Sequence, residues 1–102
     1  MIRFKGFINQ SGTAAPTVNA NGSVDQIGVT FARSSAGVYT ASAPGMFTEG
    51  LTHVSICDNV PGLVQIKAGW VDDSTIEIYT SNAAGVGVDG LMSNIPFYIE
   101  VE

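Results

Sequence analysis

The fold class is decided by one stretch, Val64-Gln65-Ile66-Lys67-Ala68-Gly69-Trp70-Val71-Asp72-Asp73-Ser74-Thr75-Ile76-Glu77-Ile78. Apolar side chains recur at every second position in the series Val64, Ile66, Ala68 and Trp70, which predicts a β-strand with these residues on one face. Asp72-Asp73-Ser74 is typical of a turn. Ile76 and Ile78 return on the same side, so the stretch predicts a β-hairpin with Trp70 in the core.

Similar short runs lie on both sides of this hairpin, separated by clusters of Gly, Pro, Asn and Asp. They span residues 2–8, 27–32, 38–43, 51–57 and 96–101. Ser34-Ser35-Ala36-Gly37 predicts a turn between two of them, because Gly37 can adopt a positive φ. In the last run, Phe97, Ile99 and Val101 face one way, and Tyr98, Glu100 and Glu102 face the other. Helical periodicity is absent from the sequence.

The pattern predicts an all-β chain of about seven strands that folds as an antiparallel β-sandwich, with a jelly roll as one open arrangement. Strand order does not follow from spacing alone. Repeats and linkers are absent, so residues 1–102 are expected to form a single domain.

Composition favours a role in binding. Apolar residues make up 45% of the chain and charged residues only 13%. A weakly charged surface is easily desolvated and suits protein–protein contact, although a monomer with a neutral surface is the alternative. The net charge is −5, and Arg3 and Lys5 are the only close pair among four basic residues. We therefore expect no binding to nucleic acid, which needs clustered cations.

The first ten residues contain no sustained apolar run, and no stretch is long and apolar enough to span a membrane. We expect a protein that is made in the cytoplasm without a signal peptide and does not bind membranes. Cys57 is the only cysteine and cannot form an intramolecular disulfide. Its place in the apolar stretch Val54-Ser55-Ile56-Cys57 predicts a buried thiol.

Residues 85–90, Gly-Val-Gly-Val-Asp-Gly, match the dinucleotide-binding pattern G-x-G-x-x-G. That pattern requires a following helix to hold the pyrophosphate, and Ser93-Asn94-Ile95-Pro96 comes too soon for one. The segment is therefore predicted to be a flexible loop between two strands, and no cofactor is expected.

A catalytic centre is not expected either. His53 is the only histidine, and on a strand Cys57 would lie ~13 Å away along the backbone, too far for direct proton transfer. Ser55 is nearer but has no oxyanion-hole motif beside it. The acidic pairs Asp72-Asp73 and Asp58-Asn59 are ordinary turn residues, so no metal site is predicted.

Two groups of apolar residues are candidates for an interface. Phe7, Leu63, Val71 and Tyr79 occupy positions that a one-sided sheet would leave in water, so they either pack against a second layer or meet another subunit. Residues 46–47 and 91–92 are apolar and lie in loops, where they either cap the core or contact a partner. The predicted interface residues are Phe7, Met46, Phe47, Leu63, Tyr79, Leu91 and Met92.

Four segments in combination carry a family resemblance: residues 4–17 (FKGFINQSGTAAPT), 37–40 (GVYT), 74–80 (STIEIYT) and 94–101 (NIPFYIEV). They resemble small virion structural proteins of tailed bacteriophages. Members of such families decorate capsids or form the heads of tail fibres, often as trimers. The resemblance spans most of the chain, rests on turn and strand patterns, and transfers no functional residue.

These observations predict a non-enzymatic structural protein of a bacteriophage virion, located on the capsid, the tail or a fibre. It would act by self-association, with a homotrimer favoured, and by docking to other virion proteins. The alternative is a β-sandwich module that binds carbohydrate or a host surface through loops at one end.

Overall fold

The computed structural model describes residues 1–20, 22–57 and 64–102, and these residues contain strands and turns but no helix. The strands are β1 (Ile2–Asn9), β2 (Thr17–Val18), β3 (Val24–Asp25), β4 (Thr30–Ser35), β5 (Val38–Ser42), β6 (Thr52–Ile56), β7 (Gln65–Asp72), β8 (Thr75–Ser81) and β9 (Ile95–Val101). Within these ranges, no helix that could cross a membrane is present.

The strands form two antiparallel sheets. Sheet I has the order β2-β1-β9-β6, with β3 also paired to β1, and sheet II has the order β4-β5-β8-β7. The first strand pairs with the last, and β5 pairs with β8 inside that outer pair. Both sheets are therefore closed by antiparallel pairs from distant parts of the chain.

The predicted antiparallel β-sandwich is confirmed. The described residues include seven strands of five to eight residues, as the alternation predicts, and two strands of only two residues, β2 and β3. The predicted turn at residues 34–37 joins β4 to β5, and Gly37 has φ 72°.

The strand predicted from Ile27 begins later in the structure. Asp25 Oδ1 accepts hydrogen bonds from the backbone N–H groups of Ile27, Gly28 and Val29 at 2.7–3.3 Å. These bonds wrap the chain around the carboxylate, and Gly28 adopts φ 84°. Ile27 is nevertheless buried, so its apolar character reports the core and not a strand.

The hairpin of β7 and β8 forms as predicted, but Trp70 is not a core residue. The register shifts between Trp70 and Asp72, which marks a bulge in this edge strand. Trp70 is 38% exposed, and its indole N–H donates to the carbonyl of Phe47 at 2.8 Å. The side chain therefore lies at the rim of the sandwich with its polar end satisfied.

The core lies between the sheets and follows the alternation of β1, β5, β8 and β9. Phe4, Phe31 and Phe97 form an aromatic cluster whose ring centroids are 5.7–6.3 Å apart. Each fully buried side chain of this size stabilises the fold by about 1.5–3 kcal/mol. The largest side chains with almost no exposure are Tyr39, Phe47, Phe97, Ile8, Ile76, Ile78, Met92, Ile95 and Ile99.

Candidate functional site

A hydrogen-bonded polar cluster centres on Asp89, in the connection between β8 and β9. Arg33 donates to its carboxylate through Nη2 at 2.8 Å and through Nε at 3.2 Å. The hydroxyl of Tyr39 donates at 2.5 Å, and the backbone N–H of Gly37 donates at 3.1 Å. We call Arg33, Gly37, Tyr39 and Asp89 the Asp89 cluster. Its hydrogen bonds hold the segment between β8 and β9 against the β4–β5 hairpin.

The electrostatics of the Asp89 cluster suit a structural role. The hydrogen bond from Arg33, followed by those from Tyr39 and Gly37, lowers the pKa of Asp89 well below its usual range. Burial and the hydrogen bond to Asp89 raise the pKa of Tyr39 to about 12. These shifts keep Asp89 ionised and Tyr39 protonated near neutral pH, which preserves the hydrogen bond between them.

The glycine-rich segment 85–90 runs to β9 without a helix, which agrees with its predicted loop. It is anchored to its surroundings: Val88 N–H donates to the carbonyl of Thr80 at 3.1 Å, and Thr80 Oγ1 donates to the carbonyl of Val88 at 2.6 Å. A Cβ on Gly87 would lie 2.5 Å from the carbonyl oxygen of Ala36. The glycine at this position therefore allows two backbone segments to pack together.

Gln10 makes a second connection at the same end of the sandwich. Its side chain is almost fully buried, and Nε2 donates to the carbonyls of Gly12 at 3.0 Å and Ala14 at 3.1 Å. Oε1 accepts from the N–H of Gly90 at 2.6 Å. The amide thus orders the loop after β1, and its donor and acceptor groups are already used inside the fold.

The residues considered for catalysis, His53, Ser55 and Cys57, are all exposed along β6 and at its end. His53 is exposed on edge strand β6, with Nε2 3.5 Å from Glu102 Oε1. Cys57 is exposed, so the prediction of a buried thiol is wrong. The reason is the alternation along β6: Val54 and Ile56 face the core, which turns Ser55 and Cys57 outward. Within the described ranges, no three His, Cys, Asp or Glu side chains form a cluster that could hold a metal.

The structure separates the predicted interface residues. Phe7 (41% exposed) lies on the outer face of sheet I, and Tyr79 (40% exposed) lies on the outer face of sheet II. Met46 and Leu91 are partly exposed and lie in different connections, β5–β6 and β8–β9. One contact surface cannot include all four, and Leu63 is outside the described residues.

Phe47 and Met92 require a correction as interface residues, because both are buried in the core, at 0% and 2% exposure. Phe47 N–H donates to the carbonyl of Asp73 at 2.8 Å, and the carbonyl of Met92 accepts from the N–H of Gln10 at 2.9 Å. Each residue therefore closes one connection over the core. The sequence left this alternative open, because loop position alone does not distinguish a core cap from a contact residue.

The outer face of sheet I combines an apolar row with charges of both signs. Across the strands, Phe7 lies opposite Pro96, and Cys57 follows in the same row through its hydrogen bond to the carbonyl of Pro96. These residues line a shallow groove of about 160 Å³. The next two rows toward the start of β1 place Lys5 opposite Tyr98, and Arg3 opposite Glu100.

The outer face of sheet II is more neutral. Its cross-strand rows consist mainly of Thr, Ser, Ala and Val from β4, β5 and β8. Lys67 and Tyr79 are directly opposite each other, and the hydroxyl of Tyr79 donates to Glu77 Oε1. This hydrogen bond raises the pKa of Tyr79.

Fold and surface together define an antiparallel β-sandwich whose candidate sites are exposed sheet faces. Comparisons of the chain with protein-family models, with curated proteins and with solved structures found no match in any of the three.

Proposed function

We propose that this chain is a non-enzymatic structural protein of a bacteriophage particle, which acts by self-association and by docking to other virion proteins. The observation that carries the self-association is the outer face of sheet I. This face exposes the row of Phe7, Pro96 and Cys57 beside cationic and anionic side chains on neighbouring strands.

The apolar row supplies the favourable free energy of a contact. Phe7 keeps 41% of its surface exposed, and Cys57 is also exposed, so a partner that covers them removes apolar area from water. An aromatic side chain at the centre of an interface is a common source of binding energy. The molecule measures 36 × 28 × 21 Å, and its broad side is comparable with the ~800 Å² per partner that a stable interface buries.

The charges make the face complementary to itself. Arg3 and Lys5 project from β1, whereas Glu100 projects from β9. In the proposed dimer, two copies pack face to face through sheet I, and the twofold axis runs parallel to the strands between β1 and β9. Each residue of one copy then lies against the residue of the second copy that is its cross-strand neighbour in sheet I. Arg3 then meets Glu100, and Phe7 meets Pro96, so opposite charges and apolar groups are matched.

The setting in a virion rests on the family resemblance of residues 4–17, 37–40, 74–80 and 94–101. That resemblance favours a homotrimer, whereas the pairing at sheet I suits a dimer contact. A trimer would use heterologous contacts between different surfaces of neighbouring copies. Both are forms of the proposed self-association, and the measured mass distinguishes them.

Sedimentation velocity over a wide concentration range tests the proposal. The native chain should form an oligomer, and Phe7→Lys should shift the equilibrium to the monomer because it places a cation on the apolar row. Val71→Lys is the matched control, since Val71 is as exposed as Phe7 but belongs to β7 of sheet II. A native chain that stays monomeric at every concentration, or equal effects of both variants, would overturn the assignment of this face.

A further inference from the structure

A second concave surface lies on the opposite side of the sandwich, where the outer face of sheet II meets the glycine-rich segment 85–90. The groove has a volume of about 470 Å³. This is within the ~300–1,000 Å³ range of small-molecule sites. Its side-chain and backbone lining includes Gln65, Lys67, Tyr79, Ser81, Gly85 and Gly87.

Tyr79 provides an aromatic surface in this groove. Its side chain is 40% exposed, although it sits in the middle of β8 between Lys67 and Val38 of the neighbouring strands. Its hydroxyl donates to Glu77 Oε1 on the same strand, and the cross-strand neighbours flank the ring. A rigid ring of this kind offers apolar area at a small entropic cost and stacks against flat ligands.

The remaining lining is rich in groups that hydrogen-bond to hydroxyls. The amide of Gln65 and the hydroxyl of Ser81 each donate and accept, and the ammonium of Lys67 donates. Gly85 leaves the backbone open to close approach, because a Cβ there would have no atom within 4 Å. Uncharged groups dominate, so the groove does not suit a ligand with several phosphates.

We propose that this groove binds a saccharide. The apolar C–H face of a sugar ring would stack on Tyr79, while its hydroxyl groups would bond to Gln65, Lys67 and Ser81. Concavity, one anchored aromatic ring and several neutral hydrogen-bonding groups are the features that a sugar ring requires. The site lies on sheet II and is therefore independent of the self-association proposed for sheet I.

The test is a titration of the isotope-labelled protein, followed by amide NMR shifts, with methyl glucoside, methyl galactoside, methyl mannoside and N-acetylglucosamine. We carry it out on the Phe7→Lys variant, so that changes in assembly do not contribute. At least one sugar should shift amides of residues 65–67, 79–81 and 85–87, with a dissociation constant in the millimolar range expected for so small a ligand.

Tyr79→Ala should weaken this binding about tenfold or more by removing the stacking surface, whereas Tyr79→Phe should retain most of it. Val71→Ala is the control, since Val71 lies on the same strand as Lys67 but outside the groove lining. The absence of shifts with all four sugars, or shifts that Tyr79→Ala leaves unchanged, would overturn the proposal. If amide shifts at the groove change with protein concentration in the absence of sugar, the groove is a protein contact and not a saccharide site.

Discussion

Tyr39 and Tyr79 donate hydrogen bonds to carboxylates in very different surroundings. Both hydroxyls lie 2.5 Å from their acceptors, Asp89 and Glu77 respectively. Tyr39 is inaccessible to solvent, whereas Tyr79 is 40% exposed. The net contribution of a hydrogen bond to stability depends on what replaces it when it is lost. Water can replace the hydrogen bond of the exposed Tyr79 hydroxyl but not that of the buried Tyr39 hydroxyl. The two residues are therefore a matched pair for measuring the contribution of the Asp89 cluster to stability.

We predict that Tyr39→Phe lowers the free energy of unfolding by about 1–2 kcal/mol at neutral pH, because it leaves part of the Asp89 carboxylate without a donor. Tyr79→Phe should cause no measurable change. Urea unfolding of both variants in the Phe7→Lys background checks this without a contribution from assembly. Equal destabilisation by both substitutions would contradict a special role for the Asp89 cluster.

The stability difference between the native chain and Tyr39→Phe should also depend on pH. The pKa of Tyr39 is raised from 10.0 to about 12 in the folded state. A raised pKa contributes stability that is complete below the unfolded value and is lost as the pH rises through the folded value. The difference between native chain and Tyr39→Phe should therefore decrease between pH 10 and pH 12.

At the scale of strands and loops, period-two alternation predicted most of the fold. It located the β7–β8 hairpin, the turn before Gly37 and the inward residues of β9, because each strand has one face in the core. The same parity also carried the signal that Cys57 faces outward. Local apolar composition alone predicts a buried thiol, but the position of Cys57 in the alternation of β6 decides its orientation.

The Asp89 cluster could not be found in the same way. Asp89 and Arg33 are 56 residues apart, and Asp89 and Tyr39 are 50 residues apart. Alternation describes only neighbours along one strand. The contacts of Asp89 depend instead on how the connection between β8 and β9 packs against β4 and β5. The burial of Phe47 and Met92 escaped prediction for the same reason, since it depends on the path of each loop.

The close approach of segment 85–90 to the β4–β5 turn gives a prediction for a single glycine. Gly87→Ala should destabilise the protein by about 1–3 kcal/mol, because the new Cβ would lie 2.5 Å from the carbonyl oxygen of Ala36. Gly69→Ala is the control: Gly69 lies in β7, and a Cβ there has nothing within 4 Å. This second variant should be neutral or slightly stabilising. Thermal unfolding that ranks the two variants in the opposite order would contradict the packing described here.

At the scale of the whole molecule, the two outer faces have different chemistry. Sheet I exposes an apolar row beside charges of both signs, and sheet II exposes mainly small neutral side chains, with a groove around Tyr79. A protein that assembles through one face keeps the other available in the assembly. In the two proposals made above, neighbouring copies would contact sheet I and the saccharide would bind sheet II.

The single cysteine reports directly on the assembly face. Cys57 is exposed in the same row as Phe7 and Pro96, so a second copy that covers this row must also restrict access to the thiol. We predict that the thiol reacts progressively more slowly with a chromogenic disulfide reagent as the concentration of the native protein rises. The rate constant for Phe7→Lys should be independent of protein concentration, whatever its absolute value, since the added cation itself changes the reactivity of the thiol. Oligomers with an unprotected thiol would place the contact on another surface, and the mass of those oligomers would then show whether a heterologous ring replaces the twofold pairing at sheet I.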